Sequence, residues 1–118
     1  MSGKVGSGIT GSEDTLKKNL EYALPLLKEN GIVGLIEPIN KYFVPGYFLN
    51  NYETGLEHIS FGNIKYESNS TIYMIIAQKL INELNSPNLR LQLDVFHMQF
   101  IRGDLTNSIK ELMPITGP

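Results

Sequence analysis

Apolar positions along the chain switch between two periods. Leu16, Leu20, Ala23, Leu24 and Leu27 recur at the spacing of one helix face, which predicts an amphipathic helix over residues 13–29. Ser12 stands where an N-cap belongs, Glu13 and Asp14 suit the positive end of the helix dipole, and Lys28 suits the negative end. Gly31 follows as a C′ residue. Pro25 falls inside the span and removes a backbone donor, at about 3 kcal/mol in a helix interior, so a kink is expected near Tyr22. Ile32 to Ile36 is then a short unbroken apolar run, the mark of a strand buried on both faces, and it ends in Glu37 with Pro38 directly after.

The loop from Pro38 to Asn51 has a Pro45-Gly46 turn and four aromatics, Tyr42, Phe43, Tyr47 and Phe48. Such a loop either lies over a pocket or packs on its own domain. Asn50 or Asn51 can cap a helix beginning near Tyr52, with Leu56 and Ile59 on its apolar side. The period then fails through Phe61 to Ser70 and resumes with Ile72, Ile76, Ala77, Leu80, Ile81 and Leu84. The window Thr71 to Ile76 is apolar, β-prone and uncharged, an aggregation hazard if exposed. Asn85 to Asn88 ends that helix. From Leu89 the pattern alternates: Leu89, Leu91, Leu93 and Val95 face one way, Arg90, Gln92, Asp94 and Phe96 the other, which predicts a strand carrying Asp94 near its end. Asp104 or Thr106 caps a last helix striped by Leu105, Ile109 and Leu112, and Pro114 stops it. Helix, short loop, strand is the αβ step of a parallel sheet, and another strand is expected where the chain ends at Pro118.

Composition narrows the function. The 118 residues allow one domain, read over 1–118, with residues 1–11 as a flexible glycine-rich loop. A net charge of −2 and only two arginines, Arg90 and Arg102, argue against a nucleic-acid partner. There is no cysteine, hence no disulfide framework and no thiolate chemistry. No signal-peptide pattern opens the chain, and no apolar run approaches the ~18 residues of a membrane span, so a soluble, cytoplasmic protein without a membrane partner is expected. Gly6-Ser7-Gly8-Ile9-Thr10-Gly11 matches the G-x-G-x-x-G dinucleotide fingerprint, but only five residues precede it and Glu13 and Asp14 follow where a pyrophosphate would sit; a plain loop is the competing reading. Asn69-Ser70-Thr71 matches a glycosylation acceptor, a match of little weight without a secretion signal.

The candidate chemistry is a pair of acids. Carboxylates at the C-terminal ends of adjacent parallel strands, whose axes lie about 4.8 Å apart, can reach one cation at ~2.1 Å. Glu37 and Asp94 are placed for that, and Glu37 can also take a proton from a carbon beside a carbonyl. The plainer alternative has Glu37 capping loop amides and Asp94 pairing with Arg90 or Arg102. His97, three residues past Asp94, binds a substrate oxygen, completes a metal shell, or serves as a structural hydrogen-bonder.

Several ordered blocks carry a resemblance that covers most of the chain. They are Gly34-Leu35-Ile36-Glu37-Pro38-Ile39-Asn40, Val44-Pro45-Gly46-Tyr47-Phe48-Leu49-Asn50, Pro87-Asn88-Leu89, Leu91-Gln92-Leu93-Asp94, His97-Met98-Gln99 and Gly103-Asp104-Leu105-Thr106. Together they resemble the hydroxypyruvate isomerase family, within the wider group of xylose isomerase-like TIM barrels. The resemblance implies an α/β fold, a partial (β/α)8 barrel holding about strands 3–5 with their helices. It implies an intramolecular oxidoreductase of aldose–ketose type that interconverts hydroxypyruvate and tartronate semialdehyde, a small hydroxy-keto acid substrate, and a divalent metal, Mg²⁺ or Mn²⁺. Glu37 matches the first catalytic glutamate, also a metal ligand; Asp94 matches the second metal ligand; His97 matches the histidine beside the substrate.

Three departures set further expectations. A complete barrel takes ~250 residues, and this chain matches from the end of the third strand to before the sixth. The sixth-strand ligand and the second catalytic glutamate are absent, so the metal shell is incomplete and activity impaired; an inactive truncated isoform or an interaction fragment is the alternative. A segment near 58–76 splits the second helix and reads as an insertion, such as a translated intron or a gene-model artefact, which a transcript read across it would decide. Open sheet edges in a part-barrel also predict self-association.

Overall fold

The computed structural model describes residues 11–40, 42–50 and 69–118. Helix α1 spans Ser12–Glu29 and runs through Pro25 as one element. Its N-cap is Gly11 at φ 78°, not Ser12 as the sequence suggested, and no side chain caps it. The glycine accepts the left-handed backbone, and its carbonyl takes both the backbone N–H (3.1 Å) and the hydroxyl (3.1 Å) of Thr15. The C-terminus closes as a Schellman motif: Ile32 N–H donates to Leu27 O (2.9 Å) and Gly31 N–H, at φ 64°, to Lys28 O (3.2 Å).

That motif explains why strand β1 is shorter than the apolar run. Ile32 is tied back to the helix through its N–H, while its carbonyl accepts from the Asn88 side chain (2.7 Å), so β1 covers only Gly34–Ile36. Gly34 leaves room for α1: a methyl on it would come within 2.9 Å of Leu27 Cδ1, and that side-chain end would have to shift. A 3-10 turn follows at Phe48–Asn50.

Helix α2, Asn69–Leu84, holds the residues of the resumed helical period and begins before Ile72. The part of the suggested insertion from residue 58 to 68, the helix expected near Tyr52 and the motif from Gly6 to Thr10 lie outside the described residues. Strand β2, Leu89–Leu91, pairs with β1 in parallel, with Gly34 opposite Leu89, Leu35 opposite Arg90 and Ile36 opposite Leu91. The alternation from Leu89 to Phe96 therefore overstates the strand. Val95 and Phe96 belong to helix α3, Val95–Ile101, because the Asp94 carboxylate caps the following amides and turns the chain into a helix. Helix α4 spans Leu105–Leu112, and its N-cap is Asp104, in the left-handed region at φ 40°. Asp104 makes no side-chain cap bond; its carboxylate accepts from the Asn107 amide instead (2.9 and 3.1 Å). A 3-10 turn at Met113–Ile115 follows, and Thr116 then bridges Leu91 in parallel, with Gly117 N–H on Leu91 O (2.9 Å). This single bridge lies where the sequence suggested a further strand; no strand is formed there among the described residues.

Two apolar clusters meet along α2. Ala77 and Ile81 join Leu89, Leu91, Met98, Ile101 and Leu112, while Ile76 and Leu80 join Tyr47 and Leu49. Leu20 of α1 packs against both. The second cluster fixes the chain that follows Glu37, because Tyr47 and Leu49 anchor the aromatic loop beneath the helix. Ion pairs lace α1 to α2: Lys17 to Glu83 (2.7 Å) and Lys79 to Glu13 (2.5 Å). Lys17 holds the Glu83 carboxyl below its usual range, and Glu13 raises the Lys79 ammonium.

Candidate functional site

The parallel register places Ile36 beside Leu91, so the C-terminal ends of β1 and β2 lie together, tied by Gln92 N–H on Ile36 O (2.9 Å). Glu37 leaves the end of β1 directly. Asp94 stands three residues beyond β2 at the entrance to α3, and its Oδ1 accepts the N–H of Phe96 (2.7 Å) and of His97 (3.3 Å). The cap serves the orphan amides of the helix and also holds the first turn of α3, hence His97, against the strand ends.

Glu37, Asp94 and His97 each offer one donor atom, and these atoms lie within 4.8 Å of one another. The sequence placed all three near one end of the sheet, and the fold brings them together. Among the described residues Glu37 caps no loop amide and Asp94 pairs with no arginine; Arg102 is held by Glu111 (2.6 Å). Glu37 Oε1 stands 3.9 Å from His97 Nε2, too far for a hydrogen bond. The Glu37 side chain keeps 33% of its exposure while His97 keeps 8%, so the acid is reachable from solvent and the imidazole is fixed.

Donors sharing one Mg²⁺-sized ion at ~2.1 Å stand about 3 Å apart when cis and about 4.2 Å when trans, so this cluster needs a contraction of up to roughly 2 Å to close on a cation. The two carboxylates suit Mg²⁺ or Mn²⁺ in type, and Asp94 Oδ2 takes no hydrogen bond from the described residues. The donor set therefore fits a divalent cation.

One residue of the site carried no role in the sequence. Asn40 is buried, and its amide joins His97 Nδ1 through Nδ2 (2.9 Å) while its Oδ1 accepts the N–H groups of Tyr42 and Phe43 (3.1 Å each). The signal was an asparagine at the start of a turn, where side-chain to backbone bonds are common. The rings of Phe43 and Phe96 pack beside the imidazole at 5.3 Å each. Phe43 comes from the aromatic loop, part of which therefore borders the site, while Tyr47 packs in the core.

A family model described as a xylose isomerase-like TIM barrel matches residues 1–116. The chain belongs to that family. Its α/β architecture is part of such a barrel, with a two-stranded parallel sheet and helices packed against it. The hydroxypyruvate isomerase of Escherichia coli (strain K12) is 33% identical over 113 residues, 94% of this chain and 35% of the relative. The 2-oxo-tetronate isomerase of Cupriavidus necator is 30% identical over 96 residues, 81% of this chain and 28% of the relative. Among solved structures, an AP endonuclease, family 2, from Brucella melitensis superposes with a TM-score of 0.62 at 30% identity, covering 89% of this chain and 32% of that one. The chain thus spans about a third of the length of the curated relatives it matches. Among the described residues no helix is long and apolar enough to cross a membrane.

Proposed function

We propose that this chain carries the first half of an isomerase site that interconverts hydroxypyruvate and tartronate semialdehyde. The observation that supports this is the meeting of Glu37, Asp94 and His97 at the ends of two parallel strands, in a chain whose relatives are named isomerases. Glu37 takes a proton from the hydroxymethyl carbon of the substrate. The C–H electron pair becomes a carbon–carbon double bond, and the neighbouring carbonyl oxygen gains a proton, giving an enediol. Return of a proton to the former carbonyl carbon, with loss of the hydroxyl proton from the other oxygen, completes the transfer. His97 holds a substrate oxygen. Glu37 and Asp94 would hold Mg²⁺ or Mn²⁺, which supplies Lewis-acid polarisation of the carbonyl when bound.

Two carboxylates by themselves make an open and weak shell, so turnover is slow. The test is conversion of hydroxypyruvate by purified chain with Mn²⁺, beside Glu37→Gln and with 2-oxo-tetronate as the rival substrate. Slow, metal-dependent isomerisation that disappears in Glu37→Gln is expected; folded chain that binds Mn²⁺ without turnover of either compound overturns the enzymatic reading.

A second reading, an interaction fragment, is favoured by one observation: Tyr42, Phe43, Phe96 and Phe100 form an exposed aromatic patch beside the site, with ring centroids 5.2 to 6.4 Å apart.

A further inference from the structure

We infer that Asn40 is a positioning residue that fixes the tautomer of His97, placing its ring proton on Nε2, the nitrogen that faces Glu37. An amide's orientation follows from its hydrogen bonds, and here two backbone donors decide it. The N–H groups of Tyr42 and Phe43 both point at one atom of the Asn40 side chain, 3.1 Å from each, and that atom must be the carbonyl oxygen. The other end is then the NH₂ group, which meets His97 Nδ1 at 2.9 Å. An NH₂ has protons to give and no lone pair to offer, so Nδ1 has to accept. A neutral imidazole that accepts at Nδ1 carries its proton at Nε2.

Asn40 and His97 are 4% and 6% exposed, so water is shut out from either partner. Turning the amide over would set its NH₂ against two backbone N–H groups, donor facing donor, even though the N–H of Phe43 also reaches the Asn40 backbone carbonyl (3.1 Å). The aromatic rings of Phe43 and Phe96, themselves 6.1 Å apart, both pack on the imidazole at 5.3 Å.

The consequence bears on what the site binds and rests on the isomerase reading above. A protonated Nε2 has no lone pair for a cation, so His97 stays out of the metal shell and leaves it to Glu37 and Asp94. Nε2–H is instead a donor aimed into the 3.9 Å gap before Glu37 Oε1. A hydroxyl oxygen seated to the side of that pair can accept from Nε2–H at about 2.9 Å and donate to the carboxylate at about 2.7 Å. The ligand class is therefore a small hydroxy-carbonyl compound held through its hydroxyl, the group next to the carbon that Glu37 deprotonates.

The test reads the tautomer itself. A long-range ¹H–¹⁵N correlation spectrum of the ¹⁵N-labelled chain, at a pH where the ring is neutral, distinguishes a bare from a protonated ring nitrogen; a His58→Gln variant assigns His97. The expected pattern is a bare Nδ1 and a protonated Nε2. In Asn40→Asp one carboxylate oxygen still accepts from Tyr42 and Phe43 while the other accepts from Nδ1, so the pattern reverses and Mn²⁺ binding tightens as Nε2 becomes a ligand. A wild-type spectrum with Nδ1 protonated, or an unchanged pattern in a folded Asn40→Asp chain, overturns the inference. The wild-type spectrum decides even if the variant does not fold. If the expected pattern is found and no isomerisation is detected, the isomerase reading fails and the role of Asn40 stands.

Discussion

The Asp94 carboxylate accepts the backbone N–H of His97 at 3.3 Å, so one member of the site sets where the other begins. The same oxygen takes the N–H of Phe96 at 2.7 Å. Asp94 thus has two separable jobs, capping α3 through Oδ1 and offering charge through Oδ2. Asparagine caps helices about as well as aspartate, whereas alanine loses about 1 kcal/mol at such a position. Asp94→Asn is expected to keep the wild-type urea midpoint while losing Mn²⁺ affinity; Asp94→Ala is expected to lose both. Parallel urea and Mn²⁺ titrations check this, and an equal loss of stability in both variants would remove the capping account.

The core makes a second prediction. Leu80 is fully buried between Ile76 and the Tyr47–Leu49 anchor, while Leu26 on α1 is half exposed. Removing a buried leucine side chain costs about 2–5 kcal/mol, because transfer and cavity terms add. A surface change of the same kind stays within about 0.5 kcal/mol. Leu80→Ala should therefore lower the denaturation midpoint far more than Leu26→Ala. It should also disturb the backbone amides near Asn40, since the loop loses its anchor, a change visible as faster amide exchange at Tyr42 and Phe43.

Much of this site was legible because it is built from local signals. An apolar run cut off by Glu37 and Pro38 marks a strand end whatever the rest of the chain does. Asp94 and His97 were legible as residues but not as geometry. Leu89, Leu91, Leu93 and Val95 alternate without a break, and nothing in that alternation says that Asp94 turns the backbone into α3. The start of β1 was misjudged for a similar reason: Ile32 is β-prone, yet its N–H is taken by Leu27 in the helix cap. Asn40 was invisible in its role, because the partner that gives it meaning lies 57 residues away.

The ion pairs between α1 and α2 predict a pH dependence with a definite sign. Glu83 has its carboxyl lowered from 4.5, chiefly by the Lys17 hydrogen bond. A depressed acid stabilises the fold above its unfolded value, and that contribution is lost as pH falls through the lowered folded value. Lys79 is raised from 10.5, chiefly by Glu13, so its contribution is present below that value and lost as pH rises through the raised one. Between these limits the pairs add no slope. The difference in urea midpoint between wild type and Glu83→Gln should thus be constant near neutrality and shrink on the acid side. Because the pair is at the surface, the difference should also shrink in high salt. A difference that persists in strong acid would mean that packing of the side chain, not its charge, is responsible.

The aromatic patch offers the sharpest choice between the two functional readings. Phe96 and Phe100 lie one turn apart on α3, with ring centroids 5.2 Å apart and both about half exposed. Tyr42 and Phe43 extend the patch from the loop. Contiguous apolar surface of this kind marks an interaction face or an aggregation liability. Phe100→Ser removes part of the patch, including the ring packed on Phe96, but leaves Glu37, Asp94, Asn40 and His97 themselves in place. Under the interaction reading, sedimentation velocity should show concentration-dependent association of the wild-type chain that Phe100→Ser weakens. Under the isomerase reading alone, the chain should sediment as a monomer at every concentration, and the substitution should leave turnover unchanged. Association that rises with concentration while turnover per chain rises with it would join the two readings, because the patch would then be completing the open side of the site.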